Sequence, residues 1–435
     1  MKGETTRVPA GRGLLALSPM AVFLLLYVAV SIAIGDFYKM PISVALVISS
    51  AWAVISYRGK SVADRIETFS RAAGNSNILY MVWIFVLAGA FAALAKEIGA
   101  VDATVGLALR FCPPDFVVPT LFLAACFISL AVGTSVGTIV ALAPLAQEIA
   151  VMSNGNVAFY VAVVLGGAFF GDNLSFISDT TIAATRSQGC DMADKFKANL
   201  CIALPAAFIT LIIYVLTSSG SQPVTVSHDC NYWLIIPYIV VIATAVAGIN
   251  VTVVLTLGIL SAVVIGLSTG TALIDMAAFA GSGIAGMGDL IVITLLASGM
   301  LGIIKAAGGI DYMLQCLSAH ISGLRGAQAV LVLLVGAVNL CTANNTVAII
   351  TVGDISRDIS KRYGIDPRKS ASLLDSTSCV VQCLIPYGAQ TLLATSLAGL
   401  SPAAPFIYLY YPWALALMTV LSIIFLFPRR LNNRR

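Results

Sequence analysis

The chain has 435 residues, of which 59% are hydrophobic and only 10% charged. A soluble domain carries about 25% charged residues, so this supply cannot cover a water-facing surface, and a soluble enzyme, a secreted disulfide scaffold and a disordered protein are excluded. The formal net charge of +4 is too small and too dispersed to suggest a nucleic-acid partner.

About 20 apolar residues, at 1.5 Å rise each, cross a bilayer. In chain order the apolar segments are Leu14–Gly35, Met40–Tyr57, Ile78–Ala95, Phe116–Val151, Ala158–Thr185 and Phe196–Ser218. The second half continues with Tyr232–Ala247, Val251–Ser268, Leu290–Ile304, Gln328–Ile355, Ser370–Leu397 and Phe406–Phe427. Lys2, Arg7 and Arg12 precede the first segment, but its apolar run of about 20 exceeds the 7–15 of a cleaved signal peptide. It reads as a retained span. Between the second and third, Arg58–Asn77 alternates Arg65, Glu67 and Arg71 with Val62, Ile66 and Phe69, the pattern of an amphipathic helix lying on the bilayer. Its counterpart, Thr271–Ala280, has only Asp275 as a charge.

Four segments are too long for one plain span. Phe116–Val151 and Gln328–Ile355 have polar centres, Gly133–Thr138 (GTSVGT) and Thr342–Thr346 (TANNT), and read as two half-helices meeting at a turn. Ala158–Thr185 and Ser370–Leu397 are interrupted by Gly171–Ser175 (GDNLS) and Asp375–Ser378 (DSTS), and read as single spans broken in the middle. The positive-inside rule supports returning hairpins. With the N-terminus inside, only Lys39, Lys96 and Arg110 of the 24 Lys and Arg stay outside, which leaves 21 inside.

The halves match in the order of these features. Leu87, Ala88, Lys96, Gly99 and Asp102 align with Leu296, Ala297, Lys305, Gly308 and Asp311 at an offset of 209. Thr134 and Thr138 align with Thr342 and Thr346 at 208, and Asp172 and Ser175 with Asp375 and Ser378 at 203. Each half crosses an odd number of times, so the second is upside down. The expected fold is an all-α polytopic membrane protein of about ten transmembrane helices in two inverted repeats, residues 1–218 and 232–435, joined by an external linker at 219–231. Each repeat holds one re-entrant or returning hairpin (116–151, 328–355) and one broken helix (158–185, 370–397).

Exposed backbone cannot sit in hydrocarbon, so breaks at membrane depth must line protein or water. Interrupted segments at matching positions of inverted halves point to a transporter's substrate site. A carboxylate at the bilayer centre costs about 2.5–3.5 kcal/mol, and the segment boundaries place Asp172, Asp179 and Asp375 at depth. Asp179 could merely cap or accept from the hydroxyls of Thr180 and Thr181, and Asp375, six residues after Lys369, could pair near the interface. The hairpin centres add Gly133, Thr134, Ser135, Thr138, Thr342, Asn344, Asn345 and Thr346 as oxygen donors, and the second break adds Ser376 and Ser378. Asp172, Asn173 and Asp375 are the expected Na+ ligands. Gln147 and Glu148 read as interfacial, and Lys96 and Lys305 as snorkelling at span ends.

Phe170–Thr181 (FGDNLSFISDTT), with Cys341–Thr346 (CTANNT) and Asp375–Ser378, resembles the NhaC-type sodium/proton antiporter family. The resemblance implies an inverted-repeat ion transporter in which hairpin tips meet unwound helices, with Asp172, Asn173, Ser175, Ser178, Asp179 and Thr180 lining the ion path. Phe176 stands where many members have proline. The family also includes sodium-coupled carriers of organic acids or amino acids.

Burial disfavours the charged form of a carboxyl, so one buried aspartate can hold H+ or Na+, but not both. Competition for it couples opposed fluxes, and Na+/H+ exchange is the leading reading. A sodium-coupled carrier of an organic acid or amino acid is the alternative. No buried arginine is available for a solute carboxylate, although half-helix N-termini could replace one. An enzyme lacks its parts: no Ser/His pairing lies at depth, and nine scattered cysteines without a CxxC, with only His228 and His320, suggest neither disulfides nor zinc. No resident cofactor is expected. The partners are the lipid bilayer, small cations and, in the alternative, the organic solute. A homodimer is compatible with the sequence. The expected location is the plasma membrane, with both termini cytoplasmic.

Overall fold

The computed structural model describes residues 8–34, 41–111, 116–132, 134–175, 178–218, 231–247, 249–318, 321 and 323–428. Gly133, Phe176 and nearly all of the linker at 219–231 lie outside the described residues. All regular structure in them is helical, and the chain is an all-α polytopic membrane protein. Eight helical stretches are long and apolar enough to cross a membrane, and five shorter apolar helices accompany them among the described residues.

The first half opens with α1 (Ala10–Ile34), α2 (Ile42–Ser56), α3 (Val62–Ala73), α4 (Ser76–Glu97) and α5 (Ala100–Phe111). A hairpin of α6 (Val117–Val132) and α7 (Ser135–Met152) follows, then α8 (Val157–Leu174), α9 (Asp179–Gln188) and α10 (Met192–Ser218). The second half repeats the order: α11 (Ile236–Val246), α12 (Val251–Ser268), α13 (Leu273–Gly286), α14 (Gly288–Ala306) and α15 (Gly309–Ser318). A second hairpin, α16 (Gly323–Thr342) and α17 (Asn345–Tyr363), precedes α18 (Pro367–Leu384), α19 (Ala389–Leu397) and α20 (Tyr410–Ile424).

Both hairpins form where the polar centres were expected, and α8 and α9 are separated at Ser175–Ser178. The second break is elsewhere. Asp375–Ser378 lies inside the continuous helix α18, and the interruption comes at 385–388, between α18 and α19. Pro386 explains the shift: it lacks an N–H and drives the preceding residue out of helical space, and Ile385 is indeed extended, with φ −78° and ψ 125°. Short polar side chains at 375–378 instead face the protein interior, where a helix tolerates them.

The helix ends also correct the register between the halves. α8 and α18 start at 157 and 367 and end at 174 and 384; α7 and α17 start at 135 and 345; α9 and α19 start at 179 and 389. Each pair is 210 residues apart. Thr134 therefore corresponds to Asn344, not Thr342, and Asp172 corresponds to Gln382, not Asp375.

Contacts between the halves come in swapped pairs. α4 packs on α13 while α14 packs on α3, and α7 packs on α19 while α17 packs on α9. Small residues permit the closest approaches. Cβ atoms on Gly89 and Gly283 would run into each other's backbone carbonyl, and Gly299 and Gly302 of α14 accept Phe69 and Ala72 of α3. The amphipathic α3 thus rests on a span rather than on lipid alone. Its start is held by a reciprocal cap between Ser61 and Asp64.

Candidate functional site

The last turn of a helix leaves carbonyls without intrahelical partners, and α8 ends inside the protein. Asp172 lies in that turn, 6% exposed. Its Oδ1 accepts a hydrogen bond from Ser178 Oγ at 2.8 Å, across the break. Its Oδ2 accepts from Ser135 Oγ at 3.1 Å and from Asn345 Nδ2 at 3.4 Å. Ser135 and Asn345 are the first residues of α7 and α17, so one carboxylate gathers both hairpin tips. The second broken helix joins through Gln390 of α19, whose Nε2 donates to Ser135 Oγ at 3.3 Å. Gln382 of α18 donates to Gln390 Oε1 and to the Ala343 carbonyl, both at 2.9 Å. Ala343 reaches its place through a positive φ of 47°. Among the described residues, no lysine or arginine lies within ion-pair distance of Asp172.

The next residue, Asn173, belongs to a second cluster. Its carbonyl accepts from Lys195 Nζ at 2.7 Å and Asn199 Nδ2 at 3.0 Å. Lys195 also donates to Thr181 Oγ1 at 2.7 Å and forms an ion pair with Asp375 Oδ2. Asn199 Nδ2 reaches Asp375 Oδ2 at 3.2 Å. Asn173 Nδ2 meets Ser376 Oγ at 3.4 Å. Lys195 and Asp375 are 1% and 0% exposed in their side chains, so this pair is dry.

The structure thus brings together Asp172, Ser178, Ser135 and Asn345 in one cluster and Asn173, Asp375 and Ser376 in another. Thr180 touches the first through Ser178 Oγ at 2.7 Å. The remaining candidates do other things. Ser175 donates to Leu130 O, Thr138 to Thr134 O, Thr342 to Asn344 O and Ser378 to Asp375 O. Asn344 caps α17 through Val347 N, and Thr134 precedes α7 with no side-chain cap bond. Asp179 is exposed and lines a cavity, and the hydroxyls of Thr180 and Thr181 are engaged by Ser178 and Lys195. Asp375 is paired inside the protein, and its partner is Lys195.

Sequence reasoning missed Lys195, Asn199, Thr181, Gln382 and Gln390. Lys195 counted as a loop charge because the apolar run begins at Phe196; its spacing of four from Asn199, which puts both on one helix face, was the available signal. Lys369 is likewise no loop charge. It is buried, with Nζ donating to Ser422 Oγ at 2.7 Å and Phe427 O at 2.8 Å.

Two cavities lie along the helices that carry the Asp172 cluster. One of about 480 Å³ lies between α9 and α17, lined by Asp179, Arg186, Thr346 and Asp354. Its Asp179 and Thr346 are the immediate neighbours of Ser178 and Asn345. The other, about 270 Å³, lies where α7 and α19 meet α4 and α13, lined by Lys96, Gln147, Glu148 and Ser396.

Among relatives, the chain is 22% identical over 373 residues to the Na(+)/H(+) antiporter NhaC of Alkalihalophilus pseudofirmus, covering 78% of this chain and 80% of that one. It is 27% identical over 244 residues to the malate-2H(+)/Na(+)-lactate antiporter of Bacillus subtilis, a match spanning about half of each chain (51% and 50%). It is 21% identical to the arginine/ornithine antiporter ArcD of Halobacterium salinarum, over 78% of this chain and 77% of that one. Among solved structures it is similar to the Alcanivorax borkumensis YdaH transporter, at 14% identity and a TM-score of 0.39 over 84% of this chain and 88% of that one. The profile of the Na+/H+ antiporter family matches residues 11–219 and 223–428, nearly the whole sequence, and the chain belongs to that family.

Proposed function

We propose that this chain is a plasma-membrane secondary transporter that exchanges Na+ for H+ through competition for the Asp172 carboxylate. The carrying observation is a contrast between two buried aspartates. Asp375 has Lys195 as a fixed counter-charge, whereas Asp172 is held by neutral donors alone. A buried charge without a partner is costly, so a mobile cation has to supply one, and H+ and Na+ both can. Each occupies the same oxygens, so binding of one expels the other. Ser135 and Ser178 can rotate their hydroxyls to donate to a carboxylate or present lone pairs to Na+.

The arrangement of helices supports alternating access. Hairpin tips from two halves, inverted in our reading, close on one carboxylate. With charges assigned by the positive-inside rule, the cavity between α9 and α17 faces the cytoplasm and that near α7 and α19 faces outside. Parting one pair while the other closes would expose Asp172 to one side at a time.

The test uses proteoliposomes with a trapped pH dye. An imposed Na+ gradient should drive opposed proton movement, and Asp172→Asn, similar in size but fixed as neutral, should insert normally and abolish it at every pH. Normal exchange by the Asn variant would overturn the reading. Asp172→Glu keeps a displaced carboxylate and should retain weak exchange.

A second reading, sodium-coupled carriage of an organic acid or amino acid, is favoured by the cavity of about 480 Å³ lined by two carboxylates and Arg186. That volume suits a small organic ligand and exceeds what a bare cation needs. Adding malate, lactate or arginine to the same vesicles separates the two: flux that requires such a solute supports the carrier.

A further inference from the structure

Lys195 Nζ meets a ligand set suited to an alkali cation. Its three acceptors are a carboxylate oxygen of Asp375, the Thr181 hydroxyl and the Asn173 carbonyl. The carbonyl belongs to the final turn of α8, the negative end of a half-helix. Carboxylate, hydroxyl and helix-end carbonyl oxygens are the groups that bind Na+ in discontinuous helices, and hard cations in general take oxygen ligands. An ammonium has three N–H donors, and here all three are used. The lysine stem enters from the first turn of α10 and ends one residue along the chain from the exchanging carboxylate.

We infer that Lys195 is a tethered cation occupying what would otherwise be a second Na+ site, so that each chain binds one Na+, at Asp172. The inference rests on the Asp172 reading above and adds the number of ions. The two adjoining clusters hold two carboxylates and one ammonium, the other buried lysine, Lys369, being bound apart from them to Ser422 and Phe427, which leaves one negative charge there for a mobile cation to neutralise. Asp375, expected from sequence to be a Na+ ligand, is instead satisfied internally. Removing the ammonium leaves its oxygens arranged around a space into which a second cation fits.

Equilibrium binding of radioactive Na+ to purified protein in Na+-free detergent buffer tests this. Wild type should bind one Na+ per chain and Asp172→Asn none. Adding Lys195→Ala to Asp172→Asn should restore one Na+ per chain, and adding Asp375→Asn to that pair should remove it again. Sodium binding by Asp172→Asn alone would overturn the Asp172 reading. A silent Asp172→Asn together with a folded but equally silent Asp172→Asn/Lys195→Ala would overturn the tethered-cation inference while leaving that reading intact. The wild-type count decides even where a lysine variant fails to fold, because two Na+ per chain would overturn the inference directly.

Discussion

Ser135 and Asn345, 210 residues apart and each the first residue of a hairpin's second helix, donate to the same oxygen, Asp172 Oδ2. The two halves of the chain therefore meet at one atom. Neither half can move its hairpin tip without altering the carboxylate's surroundings, which is the link between conformation and ion binding that the proposed exchange requires.

Removing either donor should weaken the site without destroying it. A hydrogen bond to a charged group contributes about 1.5–3 kcal/mol, so Ser135→Ala or Asn345→Ala should raise the apparent Km for Na+ at least about tenfold. Expression should be unchanged. A transport assay across Na+ concentrations checks this, and an unaltered Km would assign both residues to packing alone.

The position of Asp172 depends on how closely α8 approaches α6. A Cβ on Gly171 would collide with the Ser129 side chain and the Leu130 backbone nitrogen, and a Cβ on Gly167 would meet Ala125 and the Phe122 carbonyl. Gly171→Ala should lower stability by about 1–3 kcal/mol, the usual cost of overpacking, and impair exchange. Gly281→Ala, where nothing lies within 4 Å, is the control and should leave melting and exchange unaffected. Thermal melting followed by size-exclusion chromatography measures the difference.

Breaking the Lys195–Asp375 pair strands a buried charge. In Na+-free buffer, Lys195→Ala or Asp375→Asn should each cost about 3–5 kcal/mol, whereas the neutral pair Lys195→Met/Asp375→Leu should regain most of that. A double-mutant cycle on melting curves reads the coupling. Additive losses would mean that the two residues contribute separately.

Topology is accessible to labelling. Ser282 on α13 and Asp358 on α17 are both exposed. With accessible native cysteines replaced, a cysteine at Ser282 should react with an impermeant reagent from outside, and one at Asp358 only after the membrane is opened. Labelling of both from one side would remove the inverted arrangement of the halves.

Much of the site was legible because its parts are polar residues in apolar segments, where solvation gives them no other reason to be. That argument singled out Asp172, Ser135 and Asn345, and the family resemblance added Ser178. It failed at Lys195, because a cation at the border of an apolar run reads as a loop charge unless its neighbours in space are known. It failed again at Asp375, which shares its spacing to serine with Asp172 but stands seven residues before Gln382, the position that matches Asp172 in the helix register. Pro386, a stronger helix breaker than any residue at 375–378, was the local signal for the second break.

By itself the sequence determined the membrane class, the helical composition, the order of elements and the two hairpins, because transfer of apolar side chains into lipid and the need to satisfy backbone groups act on local stretches of chain. Only the tertiary structure decided which carboxylate has a fixed counter-charge and which is held by neutral donors alone. Asp172 and Asp375 are equally buried and equally acidic by type, and what separates them is a single ammonium carried in from α10. Such a difference depends on distances of a few ångströms between helices far apart in the chain, and one-dimensional composition contains no measure of those distances.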